Sequence, residues 1–298
     1  MADFPVPGFT GSPLVRIDIE RDNQPYLEAA ISDPRSRLLQ LDGLAPVTEA
    51  DGGLSWGSLA KADPEAPLAL LGLLDDAPRF VSLTKVDRSG PDPRMAIIQS
   101  CAGMPAGDAG TYAAARSLVD WHDRHRFCAN CGRVTTVRRS GWARFCLKDD
   151  GGCGTEHFPR TDPVVIMLAE YDGKVLVGRN IHTMQGKFYS ALAGFLEVGE
   201  SIEDAVAREL FEEAGVIVKS VRYVTSQPWP MPSQLMIGCI APVESDALTL
   251  DASELNDAIW CDRDEVRAAL AGDDSARFHM RFPLAIAHTL LTAWVNGA

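Results

Sequence analysis

The sequence predicts an α/β protein: a mixed sheet sandwiched between helices in the C-terminal half, preceded by a four-cysteine module and an N-terminal α+β region. Three observations carry this. Strand-like runs lie on both sides of one amphipathic helix that begins near Ser201, and a last helix spans about 283–295. Cys128, Cys131, Cys146 and Cys153 cluster ahead of that half. The chain has 298 residues, 46% apolar and 23% charged, which is room for about two domains with cores of their own. The expected boundaries are 1–125 for the N-terminal α+β domain, 126–158 for the cysteine module and 159–298 for the sandwich.

Up to about residue 110 the text is irregular. Leu14 to Ile19 and Phe80 to Leu83 read as short strands, with turns at Asp33-Pro34, Asp51-Gly52-Gly53 and Gly90-Pro91. Leu68 to Leu74 is too short to span a bilayer and is expected in the core. Nothing here names a chemistry, so a scaffolding or dimer-forming role is expected. A helix follows from Thr111 to about His125, with Ala114, Leu118, Val119 and Trp121 on its buried side and His122 and His125 at the surface.

Cys128-Ala129-Asn130-Cys131-Gly132 is a metal knuckle, because a two-residue gap lets both thiolates reach one ion and a following Gly relieves the turn. Cys146 and Cys153 complete the set, although six residues, LKDDGG, separate them where two are usual. Four thiolates around one Zn²⁺ per chain leave no open position, which makes the site structural. A module of some 30 residues has little core, and zinc binding worth roughly 10 to 16 kcal/mol would fold it. Cys101, Cys239 and Cys261 read as buried single thiols.

Residues 158–163, FPRTDP, form a stiff connector. Val164 to Glu170 and Lys174 to Gly178 flank Asp172-Gly173, a hairpin signal. Tyr189 to Leu196, Ser220 to Thr225, Leu235 to Pro242 and Ala258 to Cys261 read as the remaining strands.

The net charge of −13 argues against general attraction to nucleic acid or anionic membranes. Arg124, Arg126, Arg133, Arg138, Arg139, Arg144 and Lys148, with no acid among them up to Lys148, are the exception: a patch for a phosphate-bearing partner, or solvated surface on a small module. The start, MADFPVPGFTGSP, shows no signal-peptide pattern and no run reaches about 20 apolar residues, so a cytoplasmic protein without a membrane partner is expected.

The helix after Ser201 carries the chemistry. Ser201 with Asp204 has capping-box spacing, Ile202, Ala205, Val206 and Leu210 recur at helical spacing, and Gly215 supplies the stop. Glu209, Glu212 and Glu213 then share one stripe. Two carboxylates about 6 Å apart repel by roughly 3 kcal/mol at an effective dielectric near 20, and Arg208 is the one cation on this helix. A solvated helix face is the bland explanation; a hard divalent cation bound with substrate phosphates is the other.

The run GFLEVGESIEDAVARELFEEAGV, Gly194 to Val216, resembles the Nudix box of the Nudix hydrolases at its defining positions, Gly194, Glu200, Arg208-Glu209-Leu210, Glu212-Glu213 and Gly215-Val216. That resemblance implies a loop, helix, loop unit on an α/β/α sandwich that holds Mg²⁺ or Mn²⁺ and hydrolyses nucleoside diphosphates linked to another moiety. Beyond the box, Ser226 to Ser233 reads SQPWPMPS. Its prolines hold an extended wall, and Trp229 offers a face for a base or a nicotinamide ring. With the cysteine module upstream, this resembles the NADH pyrophosphatase branch of the Nudix family, also known for removing NAD caps from RNA.

The branch resemblance implies Glu209 and Glu213 as metal ligands, Glu212 as ligand or water-activating base, the Ala193 carbonyl as a further ligand and Glu254 as a later acid. Arg208 orients the glutamates by ion pairing. Phe195, Gln227, Pro228, Trp229 and Pro230 would line the dinucleotide site. Met231, Pro232, Ser233 and Gln234 continue that wall, with Met236 and the backbone at Ala287 nearby. The chain departs from the branch at Gln234, where Ser is usual, and at Phe158, where an aromatic hydroxyl is expected. The expected activity is cleavage of NADH or NAD⁺ to nicotinamide mononucleotide and AMP, and action on the 5′ end of NAD-capped RNA, in a homodimer. Two rivals stand beside it: a Nudix enzyme for other substrates such as ADP-ribose, and a zinc-dependent binding module with an inactive hydrolase domain.

Overall fold

The computed structural model describes residues 5–181 and 186–297, so the first four residues of the stretch read for a leader lie outside it. The chain divides into two compact units. One is Phe9–Thr161 with Trp229–Ser233; the other takes the residues up to Gly8, Asp162–Pro228 and the chain from Gln234 onward. The cysteine module lies within the first.

In the first unit, α1 (Gln24–Ser32) precedes β1 (Arg37–Leu39), β2 (Leu41–Asp42), β3 (Ala45–Pro46), β4 (Trp56–Ser58), β5 (Leu68–Leu74) and β6 (Ala77–Ser82). The main sheet has the order β4-β1-β6-β5, with β1 and β6 parallel and the outer pairs antiparallel; β2 and β3 pair separately. Leu38, Leu70 and Phe80 from the sheet bury against Ala30 of α1. α1 has a start signal that the sequence reading passed over: Asn23 accepts from the Tyr26 amide, and Pro25 occupies the first turn. The strand expected over residues 14–19 does not form. Val15 makes one bridge to Leu73 and Asp18–Glu20 is a 3₁₀ turn, because Val15 and Ile19 face solvent and Arg21 closes on Asp18 at 2.8 Å.

Two helices follow, α2 (Arg94–Ala102) and α3 (Asp108–Arg124), of which only the second was anticipated. α3 buries Leu118, Val119 and Trp121 as expected, with Ala114 half-buried. His122 corrects the surface assignment. It is buried, its Nε2 is 2.7 Å from the Gly141 carbonyl, and its Nδ1 lies 3.0 Å from Arg144. His125 is exposed. The cysteine module forms the three-stranded antiparallel sheet β7 (Thr136–Arg138), β8 (Ala143–Phe145) and β9 (Glu156–His157).

The second unit is a sheet covered on both faces. Its strands are β10 (Asp162–Tyr171), β11 (Lys174–Asn180), β12 (Leu192–Phe195), β13 (Arg222–Trp229), β14 (Gln234–Pro242) and β15 (Leu255–Cys261). Its helices are α4 (Ile202–Ala214), α5 (Arg263–Leu270) and α6 (Ile286–Val295). The order is β13-β14-β10-β11-β15, with β12 on the first half of β10 and β11 on its end; β10 and β14 run parallel and the β10 pairs with β11 and β12 antiparallel. Val164 to Ala169 are all buried, which is the signature of a strand covered on both sides. Val165, Met167 and Ala169 meet Ala205, Val206 and Leu210 of α4; Ile166 and Leu168 meet Ile286, Leu290 and Trp294 of α6. The turn between β10 and β11 is the expected one, with Asp172 at φ 46° and Gly173 at φ 73°.

Three local expectations shift. α5 was not foreseen, although Asp262 caps it with a full capping box. The last helix starts at Ile286 rather than near Pro283. The wall read from SQPWPMPS is not a free-standing extended segment: Ser226 to Trp229 are the end of β13, Pro230 to Ser233 turn, and Gln234 opens β14. Pairing in the sheet supplies the extension that was attributed to the prolines.

Candidate active site

α4 begins with both halves of the capping box between Ser201 and Asp204 and stops at Gly215, whose φ is 72°. Its apolar stripe is held by the sheet, which fixes the opposite stripe in space. Gly194 of β12 stands against that stripe: a Cβ there would lie 1.9 Å from the Glu209 carboxylate carbon. Only glycine allows the strand to run so close.

Arg208 uses its whole guanidinium fork. Nε and Nη2 donate to the two oxygens of Glu200 at 2.6 and 2.9 Å, Nη1 to Glu209 at 2.8 Å and Glu212 at 3.0 Å, and Nη2 also to the Phe195 carbonyl at 2.9 Å. The hydrogen bonds from Arg208 pull Glu200 down to about 2, and those bonds raise Arg208 in turn. The box arginine thus ties the loop to the helix. Glu200 and the Phe195 carbonyl are partners that sequence reasoning missed. Glu212 is legible at i+4 from Arg208, whereas Glu200 reaches it only because the loop folds back.

The other side of the stripe has no such cation among the described residues. Glu213 is 4% exposed, and burial pushes its carboxyl up to about 8, with Glu254 and Glu209 adding repulsion and the Ala193 amide opposing it. Burial also raises Glu209, against the pull of Arg208, with Glu212 and Glu254 adding to the rise. Ala193 therefore shows Glu213 its N–H. Glu254 is exposed, and its backbone carbonyl accepts from Ile181 at 2.9 Å. A cavity of about 190 Å³ opens beside Glu213, lined also by Asn180, Ser190, Ala193 and Leu255. One buried and one half-buried carboxyl, raised first by burial and then by neighbouring charge, fit a hard cation, whose oxygen ligands they would be once ionised.

The four thiols converge more tightly. Their sulfurs lie within 4.8 Å of one another, with Cys131 to Cys146 at 3.4 Å and Cys128 to Cys153 at 3.6 Å. A tetrahedron of Zn–S bonds near 2.3 Å has edges of about 3.8 Å, so the set fits the ion. The six-residue gap is accommodated, and Cys153 takes its place. The Thr155 hydroxyl at 3.0 Å and Asn130 Nδ2 at 3.5 Å pull the Cys153 thiol down to about 5. Among the described residues this is the one group of His, Cys, Asp or Glu ligand atoms that converges so closely.

In the expected substrate wall, Gln227, Pro230, Met231 and Ala287 are buried, Trp229, Ser233, Gln234 and Met236 half-buried, and Pro228, Pro232 and Phe195 exposed. Gln227 Nε2 donates to the Leu284 carbonyl at 3.0 Å. The basic stretch is partly absorbed by the fold: Arg144 is buried on Thr135 and His122, Arg124 pairs with Asp120, and Arg139 pairs with Asp18 and Asp22. Arg126, Arg133, Arg138 and Lys148 stay exposed.

Residues 159–282 match the family described as NUDIX domain, and residues 123–158 the NADH pyrophosphatase zinc ribbon domain. The NAD-capped RNA hydrolase NUDT12 of Homo sapiens is 39% identical over 268 residues, covering 88% of this chain and 54% of that protein. The chain thus spans about half the length of the first curated relatives it matches. The NAD-capped RNA hydrolase of Schizosaccharomyces pombe is 31% identical, covering 97% of this chain and 94% of that one. The NAD-capped RNA hydrolase NudC of Mycobacterium bovis is 34% identical, covering 89% and 88%. With ribbon and box matched in order, and relatives aligned along most of their length, the chain belongs to the Nudix hydrolases that carry the NADH pyrophosphatase zinc ribbon.

Proposed function

We propose that the chain hydrolyses the pyrophosphate of NADH or NAD⁺ to nicotinamide mononucleotide and AMP, and removes the same dinucleotide cap from the 5′ end of RNA. The observation that carries the reading is the split of one helical stripe: Glu209 and Glu212 tied by Arg208 together with Glu200 of the preceding loop, and Glu213 buried beside Glu209 and Glu254 with its carboxyl raised. Relatives bearing the name NAD-capped RNA hydrolase support the substrate.

Glu209, Glu213 and Glu254, with the Ala193 backbone carbonyl, would hold Mg²⁺ or Mn²⁺, which when bound neutralises the bridging phosphates and acidifies a water. Arg208 fixes the directions of Glu209 and Glu212 and does not itself meet substrate. Glu212, the exposed member of the stripe, serves as ligand or as the base that takes the proton of the attacking water. The water oxygen bonds to one phosphorus in line, the bond from that phosphorus to the bridging oxygen breaks, and two monophosphates leave. Trp229 stacks on the nicotinamide ring, and Phe195 with Gln227 to Gln234, Met236 and Ala287 shapes the dinucleotide site.

One Zn²⁺ on Cys128, Cys131, Cys146 and Cys153 holds the ribbon, in a cytoplasmic homodimer divided at 1–125, 126–158 and 159–298. No helix among the described residues is long and apolar enough to cross a membrane. The test is a product assay with NADH and Mg²⁺ or Mn²⁺. AMP with reduced mononucleotide is expected; nicotinamide with an ADP-ribosyl product, or no turnover, would overturn the reading.

A further inference from the structure

Residues Trp229–Ser233 belong to the unit of Phe9–Thr161 rather than to the sheet from which they spring. Two side chains of that unit account for this. Arg116, on α3, is 6% exposed, and its Nη1 donates to the Pro230 carbonyl and, at 3.3 Å, to the Pro232 carbonyl. The ring of Phe9, 2% exposed, meets the Trp229 ring edge-on, with centroids 5.6 Å apart and planes at 89°.

Arg116 is an unusual tenant for a helix interior. It makes no ion pair among the described residues, because Asp120, one turn on, is taken by Arg88 and Arg124, each at 2.9 Å. The Tyr112 hydroxyl lies against it and donates its own proton to the Leu44 carbonyl at 2.6 Å. A buried cation with no counter-charge costs stability unless its donors are used. Here two carbonyls of one turn accept from Nη1, while the buried Nε has no hydrogen-bond partner among the described residues. That turn is poor in donors of its own, since Pro230 and Pro232 have no N–H.

We propose that Arg116 is a positioning residue for the substrate: by holding the 230–232 turn it orients the Trp229 ring, with Phe9 as the backing, and so sets affinity for the nicotinamide end of the dinucleotide. This rests on the reading that Trp229 meets that ring.

The experiment compares wild type with Arg116→Met and Arg116→Lys. Loss of the fork in Arg116→Met should raise KM for NADH by about tenfold while moving kcat less than about threefold. Arg116→Lys, which keeps a charge but not the fork, should fall between. Amide exchange of the peptide covering residues 226–236 should speed up in Arg116→Met while that of α4 does not. The proposal is overturned by unchanged exchange in that peptide, or by kcat falling with KM unchanged. It is also overturned if Arg116→Lys behaves like Arg116→Met and both merely lower the melting temperature. Absence of NADH turnover in wild type would sink the proposed function instead, and the exchange measurement would still decide whether Arg116 holds the turn.

Discussion

The thiol cluster of the ribbon and the carboxylate stripe of α4 are both crowds of like charge, and the fold treats them differently. The ribbon's four sulfurs converge within 4.8 Å, around strands of only two or three residues. There is little apolar core to keep them together, so the ion itself must supply the folding energy. The α4 stripe rides on a helix fastened by Ala205, Val206, Leu210 and Ala214 to a buried sheet, and a built-in cation, Arg208, neutralises half of it. A cluster the core already holds can keep its ion loosely and leave coordination open for substrate. A cluster that is its own core cannot.

Stripping zinc is the largest way to break this comparison. A Cys146→Ser variant, or wild type treated with a strong thiol-competing chelator, should lose the ribbon's fold, with roughly 10 kcal/mol of binding energy forfeited. Amide protection over residues 128–157 should vanish while that over α4 persists. Loss of both together would mean that the two regions are not held independently.

Glu213→Gln sharpens the other half. Hydrolysis should fall by about 10³-fold or more, the order seen when a group acting on transition-state charge is removed. Thermal stability without divalent metal should not fall. Glu213 is held near 8 by burial, so above the ordinary carboxylate range the unfolded chain is the one favoured by ionisation, and the amide removes that penalty. A metal-free melting temperature well below wild type would contradict this.

The smallest effect concerns His122 of α3, buried against Gly141 and Arg144. Burial pushes His122 from 6.5 to about 4. The unfolded chain therefore binds a proton between those values that the folded chain refuses. Stability is full above pH 6.5 and drains away as pH falls towards 4, by up to about 3 kcal/mol. Urea midpoints from pH 7 to pH 4 should drop less steeply in His122→Gln than in wild type, and equal slopes would show that His122 does not titrate as its burial dictates.

Local signals made much of this molecule legible in the sequence. The capping box at Ser201, the stop at Gly215, the Asp172-Gly173 turn and the cysteine spacing each act over a few residues, and each is found where its pattern lies. What was not legible depends on distant neighbours. Val15, Ile17 and Ile19 alternate like a strand, but only Val15 pairs with the edge strand β5, through Leu73, before the chain turns at Asp18–Glu20. His122 looked polar and external until Arg144 and Gly141 closed on it from the ribbon. In the site, Arg208 to Glu212 is a one-turn relation, whereas the bonds from Arg208 to Glu200 and Phe195, and the charge of Glu254 on Glu213, exist only after loops return to the helix.

On the proposed function, the α4 carboxylates are a cation site whose architecture survives without the cation. Titration of Mn²⁺ into the zinc-loaded protein, followed by electron paramagnetic resonance, tests it most directly. Wild type should bind saturably, Glu213→Gln at least about tenfold more weakly, and the helical circular dichroism should be the same in both with and without Mn²⁺. Equal Mn²⁺ affinity in the two proteins, or helix that forms only when Mn²⁺ is added, would contradict the account.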